Sequence, residues 1–324
     1  MKYRNLGRTG MKVSEIGFGA WAIGGGWGPQ EDEESLKALR TAIDKGVTFI
    51  DTAAGYGNGR SERLIGKVLK ERREQIFVAT KTPPTPGFWP PSPYCNAEER
   101  YPASYLRQNV EERLKNLGVD RLDLLQLHTW TRAWNRDPVP LQVLEKLKKE
   151  GKIRAVGVST PEQDQNSVVD LMRHGLVDTV QVIYNIFEQE PAAELLPVAQ
   201  EQGIGVIVRV AMDEGSLAGR LTPQTRFAEG DFRARYFAGD RLERTVKRVA
   251  EVEKDIEGKG YSLPEAALKF VLSHAAVSVV IPGIRSVVQA QANTAVSDLP
   301  DMPGELLEKL HRHNWLRGFW YEGK

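Results

Sequence analysis

Short apolar runs alternate with amphipathic stretches along most of the chain. The runs are continuously apolar, which is typical of parallel strands buried on both faces. The predicted strands comprise residues 15–18, 48–50, 76–80, 122–127, 153–158, 179–183, 205–210 and 277–281. Ahead of this pattern, residues 3–10 and 12–18 are predicted to form a hairpin that closes the bottom of the sheet.

The stretches between the strands carry helical periodicity and end signals. Residues 32–45 have one apolar face, and the pattern stops at Gly46. The segment Thr160-Pro161-Glu162-Gln163 matches a capping box with proline at the first helical position, so we expect a helix to begin there. Ser286 is predicted to open the last regular helix.

Eight strands that alternate with helices predict a (β/α)8 TIM barrel. The alternative is a doubly wound Rossmann sheet. Its phosphate-binding fingerprint is missing, because the glycines of residues 17–24 do not have the GxGxxG spacing. We therefore expect a single barrel domain over residues 1–324, with an N-terminal β-hairpin. Two long irregular segments, residues 82–102 and 213–240, follow the third and seventh strands and should project from the C-terminal face.

Composition narrows the class of protein. The chain has 324 residues, of which 41% are hydrophobic and 27% charged, and its formal net charge is +1. This balance gives no reason to expect nucleic acid or an anionic membrane as a partner. A single cysteine, Cys95, rules out an internal disulfide framework, and no signal or membrane-spanning run is evident, so we expect a cytoplasmic protein. His311 and His313 lack nearby acids, so no metal site is predicted.

Polar side chains follow three consecutive predicted strands. Asp51 ends the second strand, with Tyr56 in the loop after it, and Lys81 and His128 end the third and fourth strands. In a barrel these strand ends meet at one patch of the mouth. The sequence therefore predicts that an acid, a phenol, an amine and an imidazole converge.

Such a set can protonate a developing alkoxide. The Lys81 ammonium would favour the phenolate of Tyr56 and lower its pKa, Asp51 would hold Lys81, and His128 would orient a carbonyl. No side chain supplies a hydride, so a nicotinamide cofactor is implied. The plainer alternative is that Asp51 and Lys81 form an ordinary salt bridge and that Tyr56 only packs its ring.

The chain closely resembles the aldo-keto reductases. The resemblance lies in Phe49-Ile50-Asp51-Thr52-Ala53, Tyr56-Gly57, Ser61-Glu62, Lys81 and Leu124-Leu125-Gln126-Leu127-His128, and it continues through Gly157-Val158-Ser159, Gln181-Val182-Ile183-Tyr184-Asn185 and Ile281-Pro282-Gly283. It implies a (β/α)8 barrel that binds NADP(H), with Asp51, Tyr56, Lys81 and His128 as the catalytic residues.

The resemblance also implies positions that contact the cofactor. They are Gly19, Trp21, Ser159, Gln181, Arg209, Ser216, Leu217, Gly219, Arg220, Gly283, Arg285, Gln289 and Asn293. Arg285, beside a helix N-terminus, is expected to bind the 2′-phosphate, which favours NADP(H) over NAD(H).

The chain departs from the family pattern at several of these positions. Thr160 stands where asparagine is common, and Arg209 stands where relatives often have an aromatic residue. Relatives strict for NADP(H) often have basic residues at the positions of Gly283 and Gln289.

The substrate is expected to be a small carbonyl compound contacted by Trp27, Trp89 and Trp130. Two other functions stay open. One is a cofactor-binding regulatory or redox-sensing subunit with little turnover, for which the potassium-channel β subunits are the precedent. The other is a barrel aldolase that uses Lys81 as a Schiff-base amine.

Overall fold

The computed structural model describes residues 1–316, so the part of the aromatic segment at residues 313–321 that follows Leu316 lies outside the described residues. The chain starts with two short antiparallel strands, β1 (Tyr3–Asn5) and β2 (Lys12–Ser14). Eight parallel strands follow in chain order. They are β3 (Phe18–Gly19), β4 (Phe49–Asp51), β5 (Phe77–Thr82), β6 (Leu122–Leu127), β7 (Ile153–Ser159), β8 (Thr179–Ile183), β9 (Gly205–Arg209) and β10 (Val277–Val280).

The eight-stranded sheet curls until its two ends meet. Parallel bridges join Ile16 to Val280 and Gly19 to Gly283. Backbone hydrogen bonds cross the same seam, including Gly17 N to Val280 O at 2.8 Å and Gly19 N to Pro282 O at 3.0 Å. Each strand pairs with its neighbour in sequence. This arrangement is consistent with a (β/α)8 barrel, as the alternating pattern predicted.

Helices fill the connections between strands. In residues 1–316 they are α1 (Asp32–Asp44), α2 (Arg60–Leu69), α3 (Ala97–Arg100), α4 (Ala103–Leu117), α5 (Val139–Lys149), α6 (Val169–Arg173), α7 (Leu195–Glu201), α8 (Phe232–Tyr236), α9 (Arg241–Ile256), α10 (Leu263–Leu272), α11 (Val287–Ala295) and α12 (Gly304–His311). None of these helices is long and apolar enough to span a membrane.

The N-terminal strands sit at the start of the barrel strands. Leu6, Met11 and Val13 are buried in one cluster with inward-facing barrel residues such as Phe49 and Ile207. The turn between β1 and β2 contacts the chain entering β9, where Arg8 N donates to Gly203 O at 2.7 Å. Apolar side chains therefore plug the end of the barrel opposite the long loops.

Two helix predictions differ from the structure. No helix begins at Pro161; residues 161–164 form a turn region, and the next α-helix is α6. The Thr160 hydroxyl instead donates to Gln181 O at 3.1 Å, so it binds a neighbouring strand and does not cap a helix. The helix after Ser286 is also not the last, because α12 follows and buries Leu306 and Leu310.

Substitution of Gly7 tests how closely the turn between β1 and β2 packs against the end of the barrel. Its φ is +51°, and an added Cβ would overlap the backbone of residues 203–205. We expect Gly7→Ala to lower the free energy of unfolding by about 3 kcal/mol or more, through backbone strain and steric overlap. Urea denaturation provides the measurement.

Gly10→Ala is the matched control. Gly10 also has a positive φ, of +73°, but an added Cβ would meet only Arg154 Nη2, at 4.0 Å. We expect a loss of about 1 kcal/mol from backbone strain alone. Equal losses in the two variants would contradict the packing described for the plug.

Candidate active site

The four predicted side chains converge at the C-terminal mouth of the barrel. Asp51 is the last residue of β4, Lys81 lies near the end of β5, and His128 directly follows β6. Tyr56 lies in the loop between β4 and α2. The parallel pairing of β4, β5 and β6 places these strand ends side by side.

A buried ion pair forms the base of the site. Lys81 Nζ lies 2.5 Å from Asp51 Oδ1, and both side chains are almost completely buried. The other carboxylate oxygen, Asp51 Oδ2, accepts hydrogen bonds from Gln181 Nε2 at 2.7 Å and Gln126 Nε2 at 3.3 Å. Both oxygens of Asp51 are thus satisfied, which a buried carboxylate requires.

Lys81 directs its three hydrogen-bond donors to three acceptors. Besides Asp51, Nζ contacts the carbonyl oxygen of Thr52 at 2.9 Å and the Tyr56 hydroxyl oxygen at 3.3 Å. An ammonium group can only donate, so the Tyr56 oxygen accepts this bond. The phenolic proton of Tyr56 is therefore free to be donated toward the cavity.

Burial and charge set the protonation states of this pair. Burial favours the neutral amine of Lys81, but the attraction of Asp51 and then Tyr56 outweighs it, so the pKa of Lys81 is raised. Burial raises the pKa of Tyr56, and the opposing effect of Lys81 does not overcome it. Lys81 acts on the phenol pKa in the expected direction, but desolvation, which the sequence did not reveal, outweighs the ammonium. At neutral pH the amine is charged and the phenol carries its proton.

His128 completes the group as a neutral imidazole. Burial, with the positive charges of Lys81 and Arg209, lowers the pKa of His128 to about 3. The imidazole and the Tyr56 ring meet edge to face, with centroids 6.0 Å apart. A neutral imidazole beside the phenol can donate one N–H to a carbonyl oxygen without adding charge.

A cavity of about 1270 Å³ opens above these residues. It extends from Asp51, Tyr56 and His128 to the start of α11. The predicted cofactor positions that line it are Gly19, Trp21, Ser159, Gln181, Arg209, Arg220, Gly283, Arg285, Gln289 and Asn293. A volume of this size accommodates a ligand larger than a small carbonyl compound.

Three predicted cofactor positions do not line the cavity. Ser216 and Leu217 are buried, and the Ser216 hydroxyl donates to Asp213 Oδ2 at 2.8 Å. Gly219 is exposed and lies between two lining residues, Ala218 and Arg220. The segment 213–218 forms 3₁₀ turns interrupted by a kink at Glu214 and Gly215, and Ser216 and Leu217 after the kink are buried.

Arg285 makes bonds that its sequence position did not suggest. Its Nη1 donates to Trp27 O and its Nη2 to Pro29 O, each at 3.0 Å. The backbone N–H of Arg285 donates to Gln289 Oε1 at 2.9 Å. The guanidinium expected at a phosphate is thus bound to the loop after β3.

The predicted substrate tryptophans separate into two groups. Trp27 and Trp89 line the cavity. The prediction that Trp130 contacts the substrate is corrected by the structure. Trp130 is fully buried, packs edge to face on Trp134 and donates from Nε1 to Asn135 Oδ1 at 2.8 Å. Aromatic residues near a mouth also serve as packing, and sequence position does not separate the two uses.

Some residues of the site were not among the predicted ones. Gln126 contacts Asp51, and Glu162 pairs with Arg209 at 2.9 Å. Glu214 lines the cavity, and burial together with the charge of Asp213 raises its pKa to about 7. Gln126 had a sequence signal, since it is polar within an apolar strand. Glu162 was attributed to a capping box, and Glu214 lies in a segment without periodicity.

The cavity walls fit a polar ligand. Trp27 and Arg209 line the cavity, and their Nε1 and Nε atoms are buried with no hydrogen-bond partner within residues 1–316. At the far end Ser286 caps α11 by accepting from Gln289 N, so a helix N-terminus borders the cavity. A helix N-terminus and polar side chains at the cavity wall suit the polar groups of a nicotinamide dinucleotide. The part of the chain described contains no cluster of three His, Cys, Asp or Glu residues suited to a metal ion.

Comparisons with known proteins identify the family of this chain. The model of the Aldo/keto reductase family matches residues 15–313. Aldo-keto reductase YhdN of Bacillus subtilis (strain 168) is 32% identical over 308 residues, which cover 92% of this chain and 89% of the relative.

Two further relatives have names that mention a cofactor. The NADH-specific methylglyoxal reductase of Escherichia coli (strain K12) is 29% identical and covers 92% of this chain and 94% of its own. A solved aldo/keto reductase of Klebsiella pneumoniae, in complex with NADP and acetate, is 25% identical with a TM-score of 0.70 and covers 96% of this chain and 95% of its own. On the match of the family model and the identity to YhdN, the chain belongs to the aldo/keto reductase family, whose activity is oxidoreduction of carbonyl compounds.

Proposed function

We propose that this protein reduces an aldehyde or ketone to an alcohol, with Tyr56 as the proton donor. The observation that carries the proposal is the bond from Lys81 Nζ to the Tyr56 hydroxyl oxygen. That bond leaves the phenolic proton directed away from the amine, toward a cavity large enough for a cofactor and a substrate.

The reaction requires one hydride and one proton. A nicotinamide cofactor supplies the hydride to the carbonyl carbon when it is bound. Tyr56 gives its proton to the carbonyl oxygen, so the C=O bond becomes a C–H and an O–H bond. The resulting phenolate is stabilised by the Lys81 ammonium 3.3 Å away, and it regains a proton from water.

Lys81 acts mainly on the phenolate. In the resting site the phenol pKa is raised, so Tyr56 holds its proton at neutral pH. As the proton leaves, the negative charge on the phenol oxygen develops beside a fixed ammonium in a buried site, where attraction is strong. Asp51 positions the ammonium, and Gln126 and Gln181 in turn hold Asp51.

His128 orients the substrate in this scheme. Its pKa of about 3 keeps the imidazole neutral, so it donates a hydrogen bond to the carbonyl without competing as an acid. Trp27 and Trp89 present flat apolar surfaces to the same cavity. We propose that they contact the substrate.

The cofactor assignment uses the residues that line the elongated part of the cavity. We propose that Ser159 and Gln181 hold the nicotinamide end, that Arg220 holds the pyrophosphate, and that the N-terminus of α11 borders the adenosine end. Two relatives support a nicotinamide cofactor, since one is NADH-specific and another was solved with NADP.

Tyr56→Phe tests the proton donor. We expect the turnover number for carbonyl reduction to fall by a factor of about 10²–10⁴, because the general acid is lost. Cofactor affinity, measured by fluorescence titration, should stay nearly constant. Tyr3→Phe removes the same hydroxyl group at an exposed site in β1, and its turnover number should equal that of the unmodified protein. Undiminished turnover in Tyr56→Phe would remove this residue from the acid role.

The pair of variants Lys81→Met and Lys81→Met/Asp51→Asn separates catalysis from stability. The single variant leaves the Asp51 carboxylate buried without its counter-ion, so we expect a loss of about 3–5 kcal/mol in the free energy of unfolding. The double variant removes both charges and should recover much of that loss but none of the activity. If activity returned together with stability, the pair would be only a structural salt bridge.

The pH profile tests the protonation states. Tyr56 must be protonated, and its pKa is raised, so kcat/KM for reduction should fall only on the alkaline side. His128 has a pKa of about 3, so no inflection is expected near the ordinary histidine value of about 6.5. An acid limb near that value that disappears in His128→Asn would contradict the neutral imidazole.

A further inference from the structure

Arg285 and the loop after β3 hold each other in place. The two terminal nitrogens of Arg285 donate to the carbonyl oxygens of Trp27 and Pro29, each at 3.0 Å. In the opposite direction, Gln30 Nε2 donates to Arg285 O at 2.9 Å. These reciprocal bonds fasten residues 27–30 across the start of α11.

A second contact holds the same loop, residues 27–30, in place. The Arg233 guanidinium lies 5.1 Å from the centre of the Trp27 ring and forms an ion pair with Asp231 at 2.7 Å. The positive charges of Arg233 and, more weakly, Arg285 lower the pKa of Asp231. Arg233 is therefore paired with a carboxylate and lies over the Trp27 ring, and Arg285 donates to carbonyl oxygens of the same loop.

The cavity wall formed by residues 262–268 and 286–296 carries no cation that could bind a phosphate. The lining residues of 262–268 and 286–296, all within the described chain, are Ser262, Pro264, Glu265, Leu268, Ser286, Val288, Gln289, Ala292, Asn293, Ala295 and Val296. One of them is a carboxylate, and neither lysine nor arginine occurs among them. Glu265 Oε2 accepts from the backbone N–H of Ser262 at 2.7 Å.

These features suit a neutral ligand group better than a phosphate. Selection for the 2′-phosphate that distinguishes NADPH from NADH is strongest with charged donors, typically a guanidinium that offers both of its terminal nitrogens. A ribose hydroxyl needs only neutral amides, hydroxyls or a carboxylate. Ser262, Gln289 and Asn293 in this wall can form hydrogen bonds with ribose hydroxyl groups. The guanidinium of Arg285 donates instead to backbone carbonyl oxygens.

We propose that Arg285 is a positioning residue for the Trp27–Gln30 loop, and that the protein binds NADH at least as tightly as NADPH. This inference rests on the proposed nicotinamide-dependent function. It reverses the preference for NADP(H) that the sequence favoured, because the residue on which that preference relied is bound elsewhere in the fold.

Fluorescence titration of the full-length protein with NADH and NADPH at fixed ionic strength tests the preference. We expect the Kd for NADH to equal or lie below that for NADPH. A Kd for NADPH about tenfold or more below that for NADH would overturn the inference and leave the proposed function standing. Failure of both cofactors to bind would overturn the inference and the proposed function together.

Arg285→Ala tests the positioning role. Loss of the two bonds to residues 27 and 29 loosens the loop, so we expect the affinities for NADH and NADPH to fall by a similar factor. If Arg285→Ala lowered the thermal unfolding temperature but changed neither Kd, its role would be structural only, and the positioning role would be contradicted. A selective loss of NADPH affinity would show that the guanidinium binds the 2′-phosphate and would contradict the assignment.

Gln289→Arg tests the same wall by addition and does not depend on the behaviour of Arg285→Ala. Gln289 lines the cavity, so a cation there should tighten NADPH binding by about tenfold and leave NADH nearly unchanged. Gln291→Arg places the same charge on an exposed position of α11 that does not line the cavity, and it should leave both Kd values unchanged. If the two variants changed the Kd for NADPH equally, or if Gln289→Arg did not lower it, this wall would not determine the cofactor preference.

Discussion

The site depends on burying one ammonium group at the mouth of the barrel. Lys81 is completely buried, so its charge must be compensated by Asp51 and its donors must all find acceptors. Those acceptors come from β4 and from the loop that follows it, which ties Tyr56 to the end of the neighbouring strand. The position of the proposed proton donor is thus a consequence of satisfying one buried cation.

The cavity has two chemically different ends. Near Tyr56 it is lined by a neutral imidazole, aromatic surfaces and the Arg209–Glu162 ion pair, and the Asp51–Lys81 ion pair lies beneath. At the other end a helix N-terminus and amide side chains form the wall, and the arginine beside them is bound to loop carbonyls. Between the two ends, Val210, Asp213 and Glu214 have positive φ values. A β-branched residue in that conformation is unusual, and such outliers cluster at functional sites.

Several elements were predictable because their signals are local. Continuous apolar runs identified the strands to within a few residues, and the apolar face predicted over residues 32–45 corresponds to α1. Polar residues that interrupt or end apolar strands identified Asp51, Lys81 and His128. Errors arose where one local pattern fits two environments. Thr160 looks like a helix cap but bonds to a neighbouring strand, and Trp130 looks like a pocket aromatic but is buried.

By itself the sequence determined the strand and helix order, the convergence of the four site residues at strand ends and the family resemblance. These follow from periodicity and from the rule that parallel strands meet at one edge. Only the tertiary structure decided what each polar group does with its hydrogen bonds. It directed the Arg285 guanidinium to Trp27 and Pro29 and made desolvation outweigh Lys81 at the Tyr56 phenol. Such outcomes depend on burial and on partners distant in sequence, which no local pattern encodes.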